Sequence, residues 1–414
     1  METMAPFERV QWWRHGTSVE RVVRDLLAFE LARARPGRAL PQQPWPANLD
    51  LVADLGADSL DLMGAATALG DLLGFSRSGV ADALLERALL ATWVDTARTS
   101  LERHDAELVF RTSGSSGAPK RCPHSLASLW REVDELARLV PGRRRILSAV
   151  PAHHIYGCLF TVLLPQADPQ VLCSVLPVLD LRAQSPASLA AQLEPGDLVV
   201  AHPDFWAQVA ALGPDFPPDV VGVTSTAPCP DAVAQALAGG GLRLLQVYGS
   251  SETAGVGWRD AAGEPYRLLP YWRRTGLDNT LEREGAGGSV ERHALQDRLV
   301  WSGPDLFIPD GRIDDAVQVG GTNVFPAYVA GVLAMHPAVA ECVVRPMRAD
   351  EGARLKAFVV PMGEQAGAVL RTALSRWIGE RLAPAERPAA YSFGPALPRQ
   401  PNGKAADWII DAWD

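Results

Sequence analysis

The sequence predicts an α/β protein in three regions: a helical first segment over residues 1–100, a core domain with mixed or parallel sheets and helices over 101–312, and a small mobile α+β domain over 313–414. Three observations carry this. Short apolar runs alternate with helical stretches through the middle of the chain, the pattern of strand–helix–strand units. Strand candidates are scarce before residue 100, and the last hundred residues hold two of them with one helix.

In chain order, ERVVRDLLAFELARA and DSLDLMGAATALGDLLG place apolar residues at helical spacing on either side of a Pro-rich break, PGRALPQQPWP. The middle region follows with strand candidates AELVF, RRILSAV, GDLVV, DVVGV and LRLLQVY, alternating with helical SLASLWREVDELARLV and PDAVAQALAG. The last region contains AECVVRP and LKAFVVPM as strands and AVLRTALSRWIGERL as a helix, and the boundary before it falls at residues 311–315. No internal repeat is visible.

At 414 residues, with 47% hydrophobic and 21% charged residues, the chain reads as a soluble multidomain protein. No stretch reaches the roughly 18 to 20 apolar residues that a membrane span needs. A net charge of -9 argues against a nucleic-acid partner, which demands a basic face. The first residues lack a signal-peptide pattern, so a cytoplasmic location is expected. Cys122, Cys158, Cys173, Cys229 and Cys342 are scattered, odd in number and without a CxxC pair. That argues against a disulfide framework or a zinc site and reads as buried small hydrophobes.

The densest chemistry lies in Arg111-Thr112-Ser113-Gly114-Ser115-Ser116-Gly117-Ala118-Pro119-Lys120, directly after a strand candidate. Hydroxyls and glycines at a strand end offer backbone N–H groups and side-chain donors to phosphate oxygens, and Lys120 adds a point charge. It is not a Walker A loop, because Pro119 precedes the lysine and Arg121 follows it.

TSGSSGAPK resembles the phosphate loop of the acyl-adenylate-forming superfamily of acyl-CoA and aryl-CoA ligases, peptide-synthetase adenylation domains and luciferases. Five further segments follow in that family's order. Pro151-Ala152-His153-His154-Ile155-Tyr156-Gly157 is similar to its PxFHxxG segment at the acyl pocket, and Thr224-Ser225-Thr226-Ala227-Pro228 to its adenine-side turn. Tyr248-Gly249-Ser250-Ser251-Glu252-Thr253 resembles YGxTE. Gly311-Arg312-Ile313-Asp314-Asp315 resembles the hinge, and Pro401-Asn402-Gly403-Lys404 the terminal segment with its catalytic lysine.

The resemblance implies a shortened adenylate-forming fold that binds ATP and Mg2+, makes an acyl-AMP and passes the acyl group to a thiol. It places Thr112, Ser113, Gly114, Ser115, Ser116, Gly117 and Lys120 on the phosphates, and Ala227, Pro228, Tyr248 and Gly249 beside the adenine. Ser251 touches the α-phosphate, Glu252 holds the metal, Arg312 bonds ribose or phosphate, Asp314 is the hinge and Lys404 is catalytic. The family's TGD is missing; the usual interval before Arg312 falls on Asp297 as the ribose ligand, with Asp305 in SGPDL the alternative. His154 and Tyr156 would line the acyl pocket, where His153 replaces the more usual Phe, and this compact set suits a small aryl acid.

The front departs most from the family. Asp54-Leu55-Gly56-Ala57-Asp58-Ser59-Leu60-Asp61 resembles an acyl carrier protein's LGxDSL, whose serine bears phosphopantetheine. The plainer reading is that Asp58 or Ser59 caps the following helix. Gly64 stands where carriers usually have a glutamate. This layout resembles the aryl-acid:carrier-protein ligases of xanthomonadin and aryl-polyene pigment pathways, which implies a hydroxybenzoate-like substrate and a separate acyl carrier protein as acceptor. Free CoA presents the same thiol and is the alternative. A catalytically silent binding module of this fold is the reading from another class; the joint presence of Lys120, Glu252, Arg312 and Lys404 argues against it.

Overall fold

The computed structural model describes residues 11–15, 17–35, 38–80, 84, 87–112, 120–167, 175–277, 279–285, 288–320, 322–348, 350–363, 367–399 and 406–410. These residues divide into two compact units. One runs to Asp310, and the other from Gly311 onward, taking also residues 32–39 and Lys120.

The larger unit is built on a nine-stranded sheet. Five neighbouring strands, in the order Val178–Asp180, Arg145–Ser148, Asp197–Ala201, Val221–Thr224 and Arg243–Ser250, are mutually parallel. Their alternate side chains enter two cores. Ile146, Leu198, Val200, Val221 and Leu245 point into one, and Leu147, Val199, Ala201 and Leu244 into the other. Burial on both faces is why these strands read as continuous apolar runs. The helices Pro203–Ala211 and Asp231–Gly239 cover the second face.

The first core is shared with the front of the chain. Helices Ser18–Ala34, Ser59–Leu73 and Leu90–Arg103 bury Val22, Leu26, Leu69, Trp93 and Leu101 in the same cluster as Ile146 and Leu198. The segment expected as a unit of its own is therefore continuous with the sheet domain. Its LGADSL turn ends in a capping box: Asp58 accepts from the N–H groups of Leu60 and Asp61, the Asp61 carboxylate accepts from the Asp58 N–H, and Ser59 is the first, exposed helical residue.

Two features depart from the strand–helix alternation. The described residues of 254–312 hold no α-helix: Ala254–Arg259 runs antiparallel to Arg243–Ser250, and Tyr266–Leu268, Leu306–Arg312 and Asp297–Trp301 complete the sheet. Trp272–Arg274, Thr280–Glu284 and Val290–Ala294 form a separate antiparallel sheet. The strand Glu107–Thr112 pairs with Lys120–Ser125 in a two-stranded ribbon and lies outside the large sheet.

The smaller unit is the expected α+β domain. Val339–Pro346, Leu355–Pro361 and Ala390–Phe393 form a three-stranded sheet, antiparallel then parallel, packed by helices Pro326–Ala334 and Gly367–Gly379 over Val329, Leu333, Val359, Leu370 and Leu374. Lys356 is fully buried there. Its ammonium bonds Glu351 at 2.8 Å, Asp407 at 3.0 Å and the Trp408 carbonyl at 2.6 Å, and lies 5.0 Å from the Trp408 ring centre. Ala406 N–H also donates to the Pro398 carbonyl at 3.0 Å.

Candidate active site

Parallel strands place all their C-terminal turns along one edge of a sheet, which is where open α/β sheets bind ligands. Here that edge gathers the residues after Ser148, Ala201, Thr224 and Tyr248. Three of the motif segments, PAHHIYG, TSTAP and YGSSE, are thus neighbours in space although about 100 residues of sequence separate the first from the last.

The 248–254 turn is tightly specified. A Cβ on Gly249 would lie 2.1 Å from the Ala254 carbonyl oxygen, so only glycine fits. Ser250 N–H donates to the Thr253 hydroxyl at 3.1 Å, and Ala254 takes the left-handed conformation at φ 59°. Ser251 and Glu252 are left half-buried at the tip. The Tyr248 hydroxyl donates to Asp297 Oδ2 at 2.7 Å, and its ring packs edge-on against Phe307 at 5.3 Å. Asp305, the alternative ribose ligand, is half-buried and ion-paired with Arg267 at 2.8 Å.

Beneath the turn lies a set of side chains that motif reading missed. His124 Nε2 donates to the Ser251 carbonyl at 2.7 Å, and burial lowers the His124 pKa to about 4, so the ring is neutral. His293 hydrogen-bonds the Glu252 backbone. Arg283 donates to the Thr253 carbonyl at 3.2 Å and pairs with Glu132 at 3.3 Å, and both side chains are buried. Glu132 in turn accepts from Gly255 N–H at 2.7 Å. Arg283 stacks on Tyr271, 4.8 Å from the ring centre. No local spacing could have paired Arg283 with Glu132, which are 151 residues apart.

The adenine-side turn follows the strand Val221–Thr224. Thr226 has φ 80°, Ala227 is half-buried and Pro228 exposed. In PAHHIYG, a Cβ on Gly157 would meet the Pro151 carbonyl oxygen at 1.9 Å. Ala152 N–H donates to buried Asp25 at 2.6 Å, and Arg182 pairs with the same carboxylate at 2.8 Å, so the first helix fixes this loop. Phe29, one turn further along that helix, packs on His153 and His154 at 5.0 and 5.6 Å. Neither ring nitrogen of buried His153 has a partner among the described residues, and burial lowers its pKa well below the ordinary value. The Tyr156 hydroxyl is buried and donates towards the Ala201 and Val223 carbonyls, each at 3.0 Å, so it bridges two strands of the sheet.

The phosphate-loop residues 113–119 and the segment 400–405 with Lys404 lie outside the described residues. Thr112 ends the strand before the loop and Lys120 opens the strand after it. Both flanks are held by one carboxylate, since Asp71 pairs with Arg111 and, at 3.7 Å, with Arg121. In the smaller unit Arg312 grips Asp314 with two bonds of 2.7 and 2.5 Å, and Asp315 then turns left-handed at φ 56°.

Among the described residues no cluster of three or more His, Cys, Asp or Glu could cage a metal. A lone carboxylate at Glu252 still fits Mg2+, which usually takes one or two protein carboxylates and completes its shell with water and substrate phosphate. The four free cysteines described, Cys122, Cys158, Cys229 and Cys342, form no disulfide, and no described helix is long and apolar enough to cross a membrane.

The profile of AMP-binding enzymes matches residues 57–274, and that of the AMP-binding enzyme C-terminal domain residues 329–404. The chain belongs to the AMP-binding enzyme family. A 4-coumarate–CoA ligase of Rhodobacter capsulatus is 39% identical over 94% of this chain and 100% of its own length. A second 4-coumarate–CoA ligase, from Halorhodospira halophila, is 38% identical over 94% and 98%. The solved o-succinylbenzoate CoA synthetase of Bacillus subtilis has the same fold at 17% identity, with a TM-score of 0.59 over 94% of this chain and 90% of its own. Family membership makes this AMP-binding enzyme an ATP-dependent, acyl-adenylate-forming acid–thiol ligase. The profile match begins at Ala57, so the family's domain takes in the helix that follows LGADSL.

Proposed function

We propose that the chain activates a small aryl acid of the hydroxycinnamate or benzoate type as its acyl-AMP and transfers the acyl group to the thiol of free CoA. The observation that carries this is the near full-length likeness to two ligases named for 4-coumarate and CoA. It supports CoA in place of the carrier-protein acceptor.

Attack of a carboxylate on the α-phosphate brings anions together, so the site needs cations and oriented donors more than a strong acid or base. In this reading Lys120 and the hydroxyls of the 112–117 loop hold the phosphates. Ser251 bonds the α-phosphate from a turn whose backbone is pinned on its inner side. Glu252 would hold Mg2+, which supplies charge neutralisation at the phosphates. Asp297, oriented by the Tyr248 hydroxyl, bonds the ribose, and Ala227 lies along the adenine. The Phe29, His153 and His154 rings form an aromatic wall on the acyl side. Arg312 and Lys404 act from the smaller unit, whose hinge at Asp314 lets it turn between adenylation and thiol transfer.

Acid-dependent ATP–pyrophosphate exchange over 4-coumarate, benzoates and fatty acids, followed by addition of CoA or a holo carrier protein, tests this. The expected result is exchange with the aryl acids and thioester with CoA. Exchange confined to acids longer than about eight carbons, thioester only on the carrier, or no exchange at all would each overturn it.

A further inference from the structure

The turn with Ser251 and Glu252 is held by groups on the chain that leaves the phosphate loop. Residues 113–119 end at Lys120, which opens the strand Lys120–Ser125; His124 lies in that strand, and Ser125 caps the helix Leu126–Leu139 that carries Glu132. This short stretch reaches the turn twice, through His124 Nε2 on the Ser251 carbonyl at 2.7 Å and through Glu132 on the Gly255 N–H at 2.7 Å. The two bonds bracket Glu252. The carbonyl between them, on Thr253, is taken by Arg283, whose other arm returns to Glu132 and to the Ser128 carbonyl at 3.0 Å.

Such a bracket fixes the peptide planes on the inner side of the turn, on both sides of Glu252. Of its members, His124 acts on the residue read as the α-phosphate contact, and it stands four positions after Lys120. We propose that His124 is a positioning residue for adenylation, which holds the Ser251–Glu252 peptide in place through the Ser251 carbonyl. The inference rests on the reading of Ser251 and Glu252 as the phosphate and metal contacts.

The bond needs a donor at the ε position of the side chain. Glutamine offers an amide N–H close to that position, and leucine offers none. His124→Leu should lower the turnover of 4-coumarate-dependent pyrophosphate exchange about a hundredfold, the scale of loss that follows a misplacement of about 1 Å. The KM for 4-coumarate should stay within about twofold, and more Mg2+ should be needed for half-maximal rate, because the defect lies at the phosphates. His124→Gln should recover to within about fivefold of the parent.

Glu252→Gln is the control that separates this inference from the reading beneath it. Full exchange by Glu252→Gln would overturn the reading of the turn, and the positioning role with it. An inactive Glu252→Gln beside a folded His124→Leu of parental turnover would overturn the positioning role alone. A loss in His124→Leu that glutamine does not restore, with equal falls in thermal midpoint for both variants, would reduce His124 to packing and also overturn the proposal.

Discussion

Tyr248 donates its hydroxyl to Asp297 Oδ2 at 2.7 Å, joining the strand that ends in the 248–252 turn to the first residue of the sheet's edge strand. This bond orients the Asp297 carboxylate. Asp297→Ala should raise the KM for ATP about ten- to hundredfold, the worth of a hydrogen bond to a charged group. Asp305→Ala should stay within about twofold, since it removes only an exposed ion pair with Arg267. Pyrophosphate exchange at varied ATP measures both, and the reverse order would move the ribose contact to Asp305.

Lys404 should matter to one half-reaction. Lys404→Ala is expected to lower acid-dependent exchange roughly 100- to 1000-fold by removing a preorganised charge. Given presynthesised aryl-AMP and CoA, the same variant should form thioester at a rate within about tenfold of the parent. Equal losses in both assays would mean that the smaller unit does not exchange roles between the two steps.

Stability should fall in acid through His124. The unfolded chain protonates this histidine near the ordinary value of 6.5, the folded chain only near 4. Between those values the unfolded state holds more protons, so stability is full above about pH 6.5 and declines as pH drops toward 4, by about 3 kcal/mol for this group. Denaturant unfolding of the parent and His124→Gln at pH 7.5 and pH 4.5 measures it: the parent should lose more on acidification than the variant.

His153→Phe should stabilise the fold at pH 7. The buried imidazole has no hydrogen-bond partner for either nitrogen among the described residues, and such a group costs about 1 to 3 kcal/mol. A rise in thermal midpoint, with a shallower loss in acid, is the expected outcome; a fall would place an ordered water or a substrate group on that ring.

Asp58→Ala should cost about 1 kcal/mol of stability, because Asp58 holds two N–H groups at the start of its helix. Ser59→Ala should change stability by less than about 0.5 kcal/mol and leave exchange and thioester formation intact. Intact mass should show no phosphopantetheine on the parent, and an adduct lost in Ser59→Ala would restore the carrier reading.

The parallel strands were legible because burial on both faces makes them unbroken apolar runs, as in LVV of Asp197–Ala201. The antiparallel region was not. Thr280–Glu284 alternates half-buried and buried residues as TLERE, and one of its inward positions is Arg283, whose charge is matched by a glutamate on a distant helix. Periodicity cannot announce a buried cation. The turns at 224–228 and 248–253 were found by motif, whereas His124, Glu132 and Arg283 act on backbone atoms and leave no spacing to notice. The Tyr156 hydroxyl serves two strand carbonyls, a role that sequence does not distinguish from ligand binding.

Lys356 gives the smaller unit an internal latch. Its ammonium is fully buried, and three of its four contacts come from Asp407 and Trp408, just beyond the segment that holds Lys404. A chain cut before residue 406 would leave the buried Lys356 ammonium with Glu351 alone, and the unit would be expected to lose much of its stability. Deletion mapping from this end would therefore report collapse where a loss of chemistry was sought. Single substitutions, and affinity tags placed at the opposite end, are the safer instruments for dissecting the half-reactions.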